Sequence, residues 1–231
     1  MYSPYFDAKQ ITSVAEVFSE SNKCRLTNFL QPEDAKSLSQ TLQSIREFDL
    51  VFHAGGENKA VPEAELRKHS DETRQQLQAE IFGNAAKGVG FLYGRHIIQK
   101  DDENQKLRQV IEWLNSPTTI TWIKSVTGMH DITHADANVT RFARSEFLTR
   151  HNDVLPNETR RVAFVINLSP NWHADWGGLL QFFEADGTST HSWTPTFNSL
   201  SLFDVKHIHS VTCIAPYAPA LRLAISGWFR A

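Results

Sequence analysis

The sequence predicts an α+β protein, and three observations carry that expectation. Apolar residues recur at helical spacing through much of the first 129 positions, and past Gly128 that period gives way to short strand-like runs separated by turn residues. The last run, residues 221–229, sets Arg222, Ala224, Ser226 and Trp228 on one face and Leu223, Ile225, Gly227 and Phe229 on the other. Arg and Ser backed by Leu and Ile suit a sheet whose inner side lines a ligand pocket and whose outer side meets helices. Helices first and strands last then imply helices packed on the outer face of a sandwich or barrel.

Taken in order, residues 1–30 are mixed and end in the alternating run Leu26-Thr27-Asn28-Phe29-Leu30. Pro32 opens a helix, Glu33 and Asp34 complement its positive end, and Ala35, Leu38, Leu42 and Ile45 form its apolar stripe. Residues 50–59 read as a strand followed by a loop, because Gly55-Gly56 interrupts the period. The spacing predicts a helix over 70–82, capped by Ser70 and stopped at Gly83, and a strand over 88–98. Leu107, Val110, Ile111 and Leu114 define a helix over 101–115 with acids in its first turn. Ser116-Pro117 starts another, which stops at Gly128. Strands are then expected over 137–149, 161–168, 179–184, 199–204, 208–214 and 221–229.

At 231 residues the chain can enclose one sizeable core. We expect a single domain over 1–231, with 1–129 a mainly helical support region and 130–231 the β core. A net charge of −3 without clustered Lys or Arg gives no nucleic-acid footprint. The N-terminus lacks the basic and apolar regions of a secretory signal, and no run is long enough to span a bilayer. Cys24 and Cys213 are most simply two reduced thiols, so the expected setting is the cytoplasm, with no membrane partner.

The chemistry concentrates in three His-x-Asp triplets, at His134, His151 and His173, and in a distal pair, His207 and His209. Residues i and i+2 of an extended segment point the same way, so His151 and Asp153 can present an imidazole and a carboxylate to one ion. Of the three triplets, only this one closes a strand and enters a turn. A distant imidazole such as His209 would complete one face of an octahedron and leave the opposite face open. Two His and one carboxylate form the ligand set of non-haem Fe(II) oxygenases. Arg222 offers a planar fork suited to a carboxylate.

His-x-Asp at 151–153, the His209-Ser210-Val211 run, and Arg222 followed by Ile225-Ser226-Gly227-Trp228-Phe229 together resemble the 2-oxoglutarate/Fe(II) dioxygenases, in their prolyl-4-hydroxylase-like branch. Phe147-Leu148, ahead of His151, and residues 160–172 add to the likeness, which is strongest to the prolyl hydroxylases that modify a ribosomal protein. It covers roughly residues 130–231 and is specific in combination rather than in any one piece.

The resemblance implies a double-stranded β-helix, a jelly-roll of cupin-like type, with the N-terminal helices on the outer face of one sheet. It implies that His151, Asp153 and His209 are the catalytic metal ligands for Fe(II). Arg222 would bind the far carboxylate of the co-substrate 2-oxoglutarate, and ascorbate is a conceivable auxiliary. The implied reaction uses O2 and 2-oxoglutarate to hydroxylate a C–H bond, releasing succinate and CO2. The implied substrate is a prolyl residue of a protein or peptide, with a free amino acid or other small-molecule metabolite as the alternative.

Phe142 departs from the family, which has there a Tyr whose hydroxyl helps hold the co-substrate: either another polar group such as Thr149, Asn167 or Thr212 takes over, or co-substrate binding is weaker, or the oxo-acid differs. If the segments of His209 and Arg222 pair across a turn at 216–219, Arg222 is displaced from His209 by about four residues, roughly 13 Å. A long side chain and a five-carbon diacid would span that gap. Residues 54–68 are a candidate cover for the pocket.

Two other classes remain open: a non-catalytic cupin-type metal-binding module, and a Zn(II) hydrolase with three protein ligands and one open position. Neither explains Arg222 in its Ile-Ser-Gly-Trp setting. Trp172 and Trp176 are read as packing, Cys213 as a small apolar residue, and Gly55-Gly56 as no phosphate loop.

Overall fold

The computed structural model describes Tyr2, residues 8–156 and residues 158–231. Residues 1–7, whose sequence lacks the pattern of a secretory signal, lie outside the described residues apart from Tyr2. The elements in order are α1 (Ala8–Ser21), β1 (Lys23–Thr27), α2 (Pro32–Ser44), β2 (Asp49–Ala54), β3 (Glu57–Pro62), α3 (Glu63–Leu66) and α4 (Asp71–Ala85). Then come β4 (Phe91–Ile97), α5 (Gln105–Leu114), α6 (Pro117–Thr127), β5 (His134–Phe142), β6 (Phe147–His151) and β7 (Arg160–Asn167). The chain finishes with β8 (Leu180–Phe183), β9 (Ser189–Trp193), β10 (Ser199–Asp204), β11 (Ile208–Val211) and β12 (Arg222–Arg230).

All the described strands join one antiparallel sheet in the order β1-β10-β7-β12-β5-β4-β6-β11-β8-β9, with the β2–β3 hairpin attached to β4. This sheet curls until its ends meet. Phe182 on β8 lies edge-on to Phe203 on β10, 5.3 Å between centroids, although the two strands stand far apart in the order. Ala163, Leu180, Phe182 and Phe203 close that inner seam.

The outer face of β7, β10 and β12 carries the main core. Leu38 and Leu42 of α2, Leu107, Val110 and Ile111 of α5, and Ile123 and Val126 of α6 pack with Phe164, Ile166, Leu202, Leu223 and Ile225. Each such side chain, once fully buried, contributes roughly 1.5–3 kcal/mol. The outward half of β12 is therefore held by the helices, which fixes the inward direction of Arg222, Ser226 and Trp228. Helix α4 stands apart and packs Ile81 on Phe52, Leu92 and Phe147, against β2, β4 and β6.

Several local expectations hold in detail. Ser116 caps α6 by accepting from Thr119 N at 3.2 Å, Pro117 is its first residue, and Gly128 ends it at φ 70°. Four others change. Gly55 and Gly56 sit at φ 64° and 76°, the left-handed pair of a two-residue hairpin, so residues 57–62 form β3 instead of a loop. Helix α4 runs through Gly83, where an interior glycine meets open space, and ends at Ala85. Helix α5 starts only at Gln105, because Asn104 caps it and Asp102 turns instead to His96 Nε2 at 2.7 Å. Residues 137–149 divide into β5 and β6 around Ser145, at φ 68°, where Glu146 accepts from Ala143 N at 2.7 Å.

Candidate active site

His151 is the last residue of β6, and β11 runs antiparallel beside it with His209 directly opposite. Cross-strand partners bring their side chains together on one face. The two imidazole centroids are 4.2 Å apart. Asp153 follows in extended chain, held by its backbone N–H donating to Val205 O at 2.9 Å. His151 Nε2 lies 3.6 Å from one Asp153 oxygen and His209 Nε2 lies 3.7 Å from the other. One ligand atom from each residue falls within 4.8 Å of the others.

Both rings are oriented from behind. His151 Nδ1 lies 2.9 Å from Thr149 O and His209 Nδ1 lies 3.0 Å from His207 O. A carbonyl only accepts, so each Nδ1 must carry the hydrogen and each Nε2 keeps its lone pair toward the common centre. Phe203 meets the His209 ring edge-on at 4.7 Å and stiffens it further.

Electrostatics keep His209 and Asp153 in their ligating forms, whereas beside the ionised Asp153 they favour the protonated form of His151, which a bound cation would have to displace. Burial, then the neighbouring His151, pushes His209 down to about 4, so it is neutral at physiological pH. Burial raises the Asp153 carboxyl, but the two imidazoles outweigh it and bring it down to about 2. The Trp228 indole contributes to that lowering, although its buried N–H completes no hydrogen bond. For His151 burial acts downward, and the Asp153 carboxylate reverses it to a net rise. Three oxygen and imidazole donors with Nε2 and carboxylate convergent fit a six-coordinate divalent ion, whose adjacent ligands stand about 3 Å apart for bonds near 2.1 Å.

The other sequence candidates are drawn elsewhere. Asp136 pairs with Arg230 at 2.5 Å, His173 and Asp175 form an exposed pair, and the His207 ring meets Ser21 O at 2.9 Å.

Arg222 opens β12, opposite Phe142 of β5. Here the expected geometry is overturned. Strand β11 pairs with β6 and β8, while β12 lies between β5 and β7, so His209 and Arg222 are not hairpin partners. They face one cavity from different strands of the curl. Arg222 is 2% exposed, its guanidinium lies 5.2 Å above the Phe142 ring, and its nearest polar partner is Asn167 Oδ1 at 3.5 Å. Its Nε is buried without a partner. Burial lowers its pKa to about 10, which still leaves it charged.

The cavity, of about 720 Å³, is lined by the triad, Arg222, Tyr93, Arg95 and the β2–β3 hairpin through His53, Asn58 and Lys59. Of residues 54–68, Asn58, Lys59 and Ala60 line the cavity, from strand β3 and not from a loop, and residues 63–66 form α3.

Tyr93 is the residue that sequence reasoning missed. Its ring stacks on Phe142, 5.2 Å between centroids at 20°, and its hydroxyl makes no hydrogen bond among the described residues. Burial raises the Tyr93 pKa, Arg95 and Arg160 oppose that rise, and Asp153 adds to it, so all three lie within electrostatic reach. Of the earlier candidates, Thr149 Oγ1 donates to Gly90 O at 2.6 Å and Thr212 Oγ1 accepts from Leu179 N at 2.9 Å, while Asn167 donates to Ser199 Oγ at 3.2 Å and turns its Oδ1 to Arg222. The alternating 88–98 run could have flagged Tyr93 as inward-facing, but not its neighbour Phe142.

Residues 137–230 match the sequence profile of the 2OG-Fe(II) oxygenase superfamily. Among curated proteins the chain is similar to prolyl 3-hydroxylase OGFOD1 of Mus musculus, 31% identical over 115 residues, 47% of this chain and 21% of that protein. The corresponding protein of Xenopus laevis is 30% identical over 143 residues, 57% of this chain and 26% of that one. The chain thus spans about a quarter of the length of these relatives.

Among solved structures it superposes on a Pseudomonas putida prolyl-4-hydroxylase with TM-score 0.65 and 16% identity, covering 95% of this chain and 98% of that one. A Trichoplax adhaerens prolyl hydroxylase, solved with a hypoxia inducible factor oxygen degradation domain peptide fragment, gives 0.65 and 17%, covering 98% and 94%. Both likenesses show the same curled double-stranded β-helix with attached helices. The profile match spans the segments that bear His151, Asp153, His209 and Arg222.

Proposed function

We propose that the protein is a 2-oxoglutarate-dependent Fe(II) hydroxylase acting on a prolyl residue of a protein or peptide. The observation that carries this reading is the placement of a buried Arg222 guanidinium, with no counter-ion among the described residues and its Nε unpartnered, in the same cavity as a convergent His/Asp/His donor set. A buried cation without a counter-ion is costly, and a carboxylate supplied by a ligand relieves it. The names of the relatives support prolyl hydroxylation, and the Trichoplax neighbour was solved with a peptide in place.

In this reading His151, Asp153 and His209 hold the iron and Arg222 grips the far carboxylate of 2-oxoglutarate. When bound, Fe(II) and 2-oxoglutarate supply the oxidising chemistry that couples decarboxylation to insertion of oxygen into a C–H bond. The chain's own contribution is geometric. The Thr149 and His207 carbonyls fix the imidazole tautomers, and Asp153 stays ionised. The Phe142 ring and Asn167 aim the guanidinium, while Trp228 and Tyr93 wall the cavity and help exclude water.

In the same reading the chain works as one domain, in the cytoplasm, with ascorbate as an auxiliary reductant and without nucleic-acid or membrane partners. No helix of the described residues is long and apolar enough to cross a membrane.

The test is mass spectrometry of proline-containing proteins and peptides incubated with the enzyme. A gain of one oxygen on proline, dependent on Fe(II), 2-oxoglutarate and O2, is expected. Succinate formation that is stimulated only by free amino acids would replace the peptide reading. Bound Fe(II) without succinate would favour the non-catalytic module, and activity surviving without O2 would favour a hydrolase.

Tyr93 tests the pocket in finer detail. Its free hydroxyl stands in for the one absent at Phe142, so Tyr93→Phe should raise the Kd for 2-oxoglutarate about 3–10-fold, the effect of one lost hydrogen bond. Titration of the anaerobic Fe(II) protein reads this directly. An unchanged Kd would remove Tyr93 from the co-substrate site.

A further inference from the structure

The walls of the cavity carry a charge that the co-substrate does not account for. Lys59, Arg95, Arg150, Arg160 and Arg222 line it, against Asp153 as the one carboxylate, although the chain as a whole has a net charge of −3. Loading does not remove the surplus, because a divalent cation and a dicarboxylate dianion cancel. Arg222 is matched by the co-substrate in the reading above. Arg160 is matched from within, 3.1 Å from Glu158 and stacked 3.7 Å from the Trp228 ring. The Arg150 guanidinium turns toward the Phe183 ring, 5.6 Å away.

Lys59 is exposed to solvent on β3, whereas Arg95 is partly buried and has no such match. It follows Tyr93 by two residues on β4, so both side chains lie on the cavity face. Its Nε is buried and unpartnered, and no carboxylate among the described residues comes within ion-pair distance of its guanidinium, Asp49 across on β2 included. On its β5 side the lining is polar but uncharged: Thr140 stands opposite Arg95, with Asn138 and, across from it on β12, Ser226 beyond. A guanidinium half-withdrawn from water, facing a cavity, without a counter-ion and flanked on one side by neutral hydrogen-bonding groups, is a receptor for a carboxylate.

We infer that Arg95 binds an acidic side chain of the substrate, so that the reacting residue is presented in a peptide segment with Asp or Glu beside it. This deepens the proposed function by naming the substrate class of the same cavity, and it rests on that reading only for where the reacting residue sits. Arg95 is a specificity-determining residue in this account and takes no part in the chemical step.

The test reads binding rather than turnover, so it can fail while the hydroxylase reading stands, and the reverse. Labelled proline-containing peptides that differ only in a flanking Glu, Gln or Lys are titrated by fluorescence anisotropy into the full chain loaded with Mn(II) and 2-oxoglutarate. The Glu peptide should bind about tenfold tighter than the Gln peptide, and Arg95→Gln should erase that difference while leaving the Kd for 2-oxoglutarate unchanged. Arg95→Glu should reverse the preference toward the Lys peptide, a gain that a merely damaged fold would not produce.

Equal binding of Glu and Gln peptides overturns the inference, as does a preference that survives Arg95→Gln. Weakened 2-oxoglutarate binding in that variant would assign Arg95 to the co-substrate instead. Displacement of the Glu peptide by an equal concentration of free L-glutamate or L-proline would assign it to a free carboxylate and equally overturn the peptide source.

Discussion

Replacing Arg222 by Met is expected to stabilise the unloaded protein while weakening 2-oxoglutarate about 100-fold or more. The two effects have one cause. Arg222 is 2% exposed and charged, and among the described residues it is compensated by the Phe142 ring and a long contact to Asn167. Methionine fills similar space without a charge, and exchanging buried ionic groups for apolar ones stabilises folds by about 1–4 kcal/mol. With the diacid bound the balance reverses. The far carboxylate would then be the uncompensated buried charge, at a cost of roughly 2–5 kcal/mol. Thermal unfolding of the apo-protein and an anaerobic 2-oxoglutarate titration, run on the same preparation, read both signs. A destabilised apo-protein with unchanged co-substrate affinity would make Arg222 a packing residue and remove the main support for the oxygenase reading.

His209→Ala is expected to lower Fe(II) affinity by more than about 100-fold and to abolish turnover. Losing a partner that merely orients a ligand costs 10–100-fold, so losing the ligand itself should cost more. His209 is also the ligand with the strongest structural support: it stands opposite His151 across the ladder, Phe203 packs its ring edge-on, and the His207 carbonyl fixes its tautomer. His207→Ala is the informative contrast. Its ring is turned to Ser21 O, so metal affinity should stay within a few-fold of the parent. Isothermal titration with Mn(II), in the absence of O2, distinguishes the two. Equal losses in both variants would mean that the region around β11, rather than one imidazole, holds the ion.

The features legible in the sequence were those written in local periodicity. Alternation along 221–229 shows that Arg222, Ser226 and Trp228 share a face opposite Leu223 and Ile225, and the helices covering Leu223 and Ile225 bear that out. The i, i+2 relation of His151 and Asp153 is likewise a property of any extended chain, and the fold preserves it.

Neighbourhood was hidden, because strand pairing is long-range. Periodicity tells which way Arg222 points but not that β5 and β7 flank it, so a sequential hairpin with β11 was the natural and mistaken choice. The place of Tyr93 beside Phe142 was hidden for the same reason, since the stacking joins residues from separate strands. The β2–β3 hairpin shows a different failure. Gly55-Gly56 reads as an interruption until β4 is present to give β2 a partner, after which the same two residues are what a tight hairpin turn requires. Ser145 carries a left-handed turn that its residue type does not announce, and so one strand became two.

The most direct measurement is an anaerobic crystal structure of the full chain with Fe(II) and 2-oxoglutarate. The account predicts one metal about 2.1 Å from His151 Nε2, His209 Nε2 and an Asp153 oxygen, with the distal carboxylate of the diacid on the Arg222 guanidinium. A metal held by other residues, or a diacid bound with Arg222 still unpaired, would contradict it.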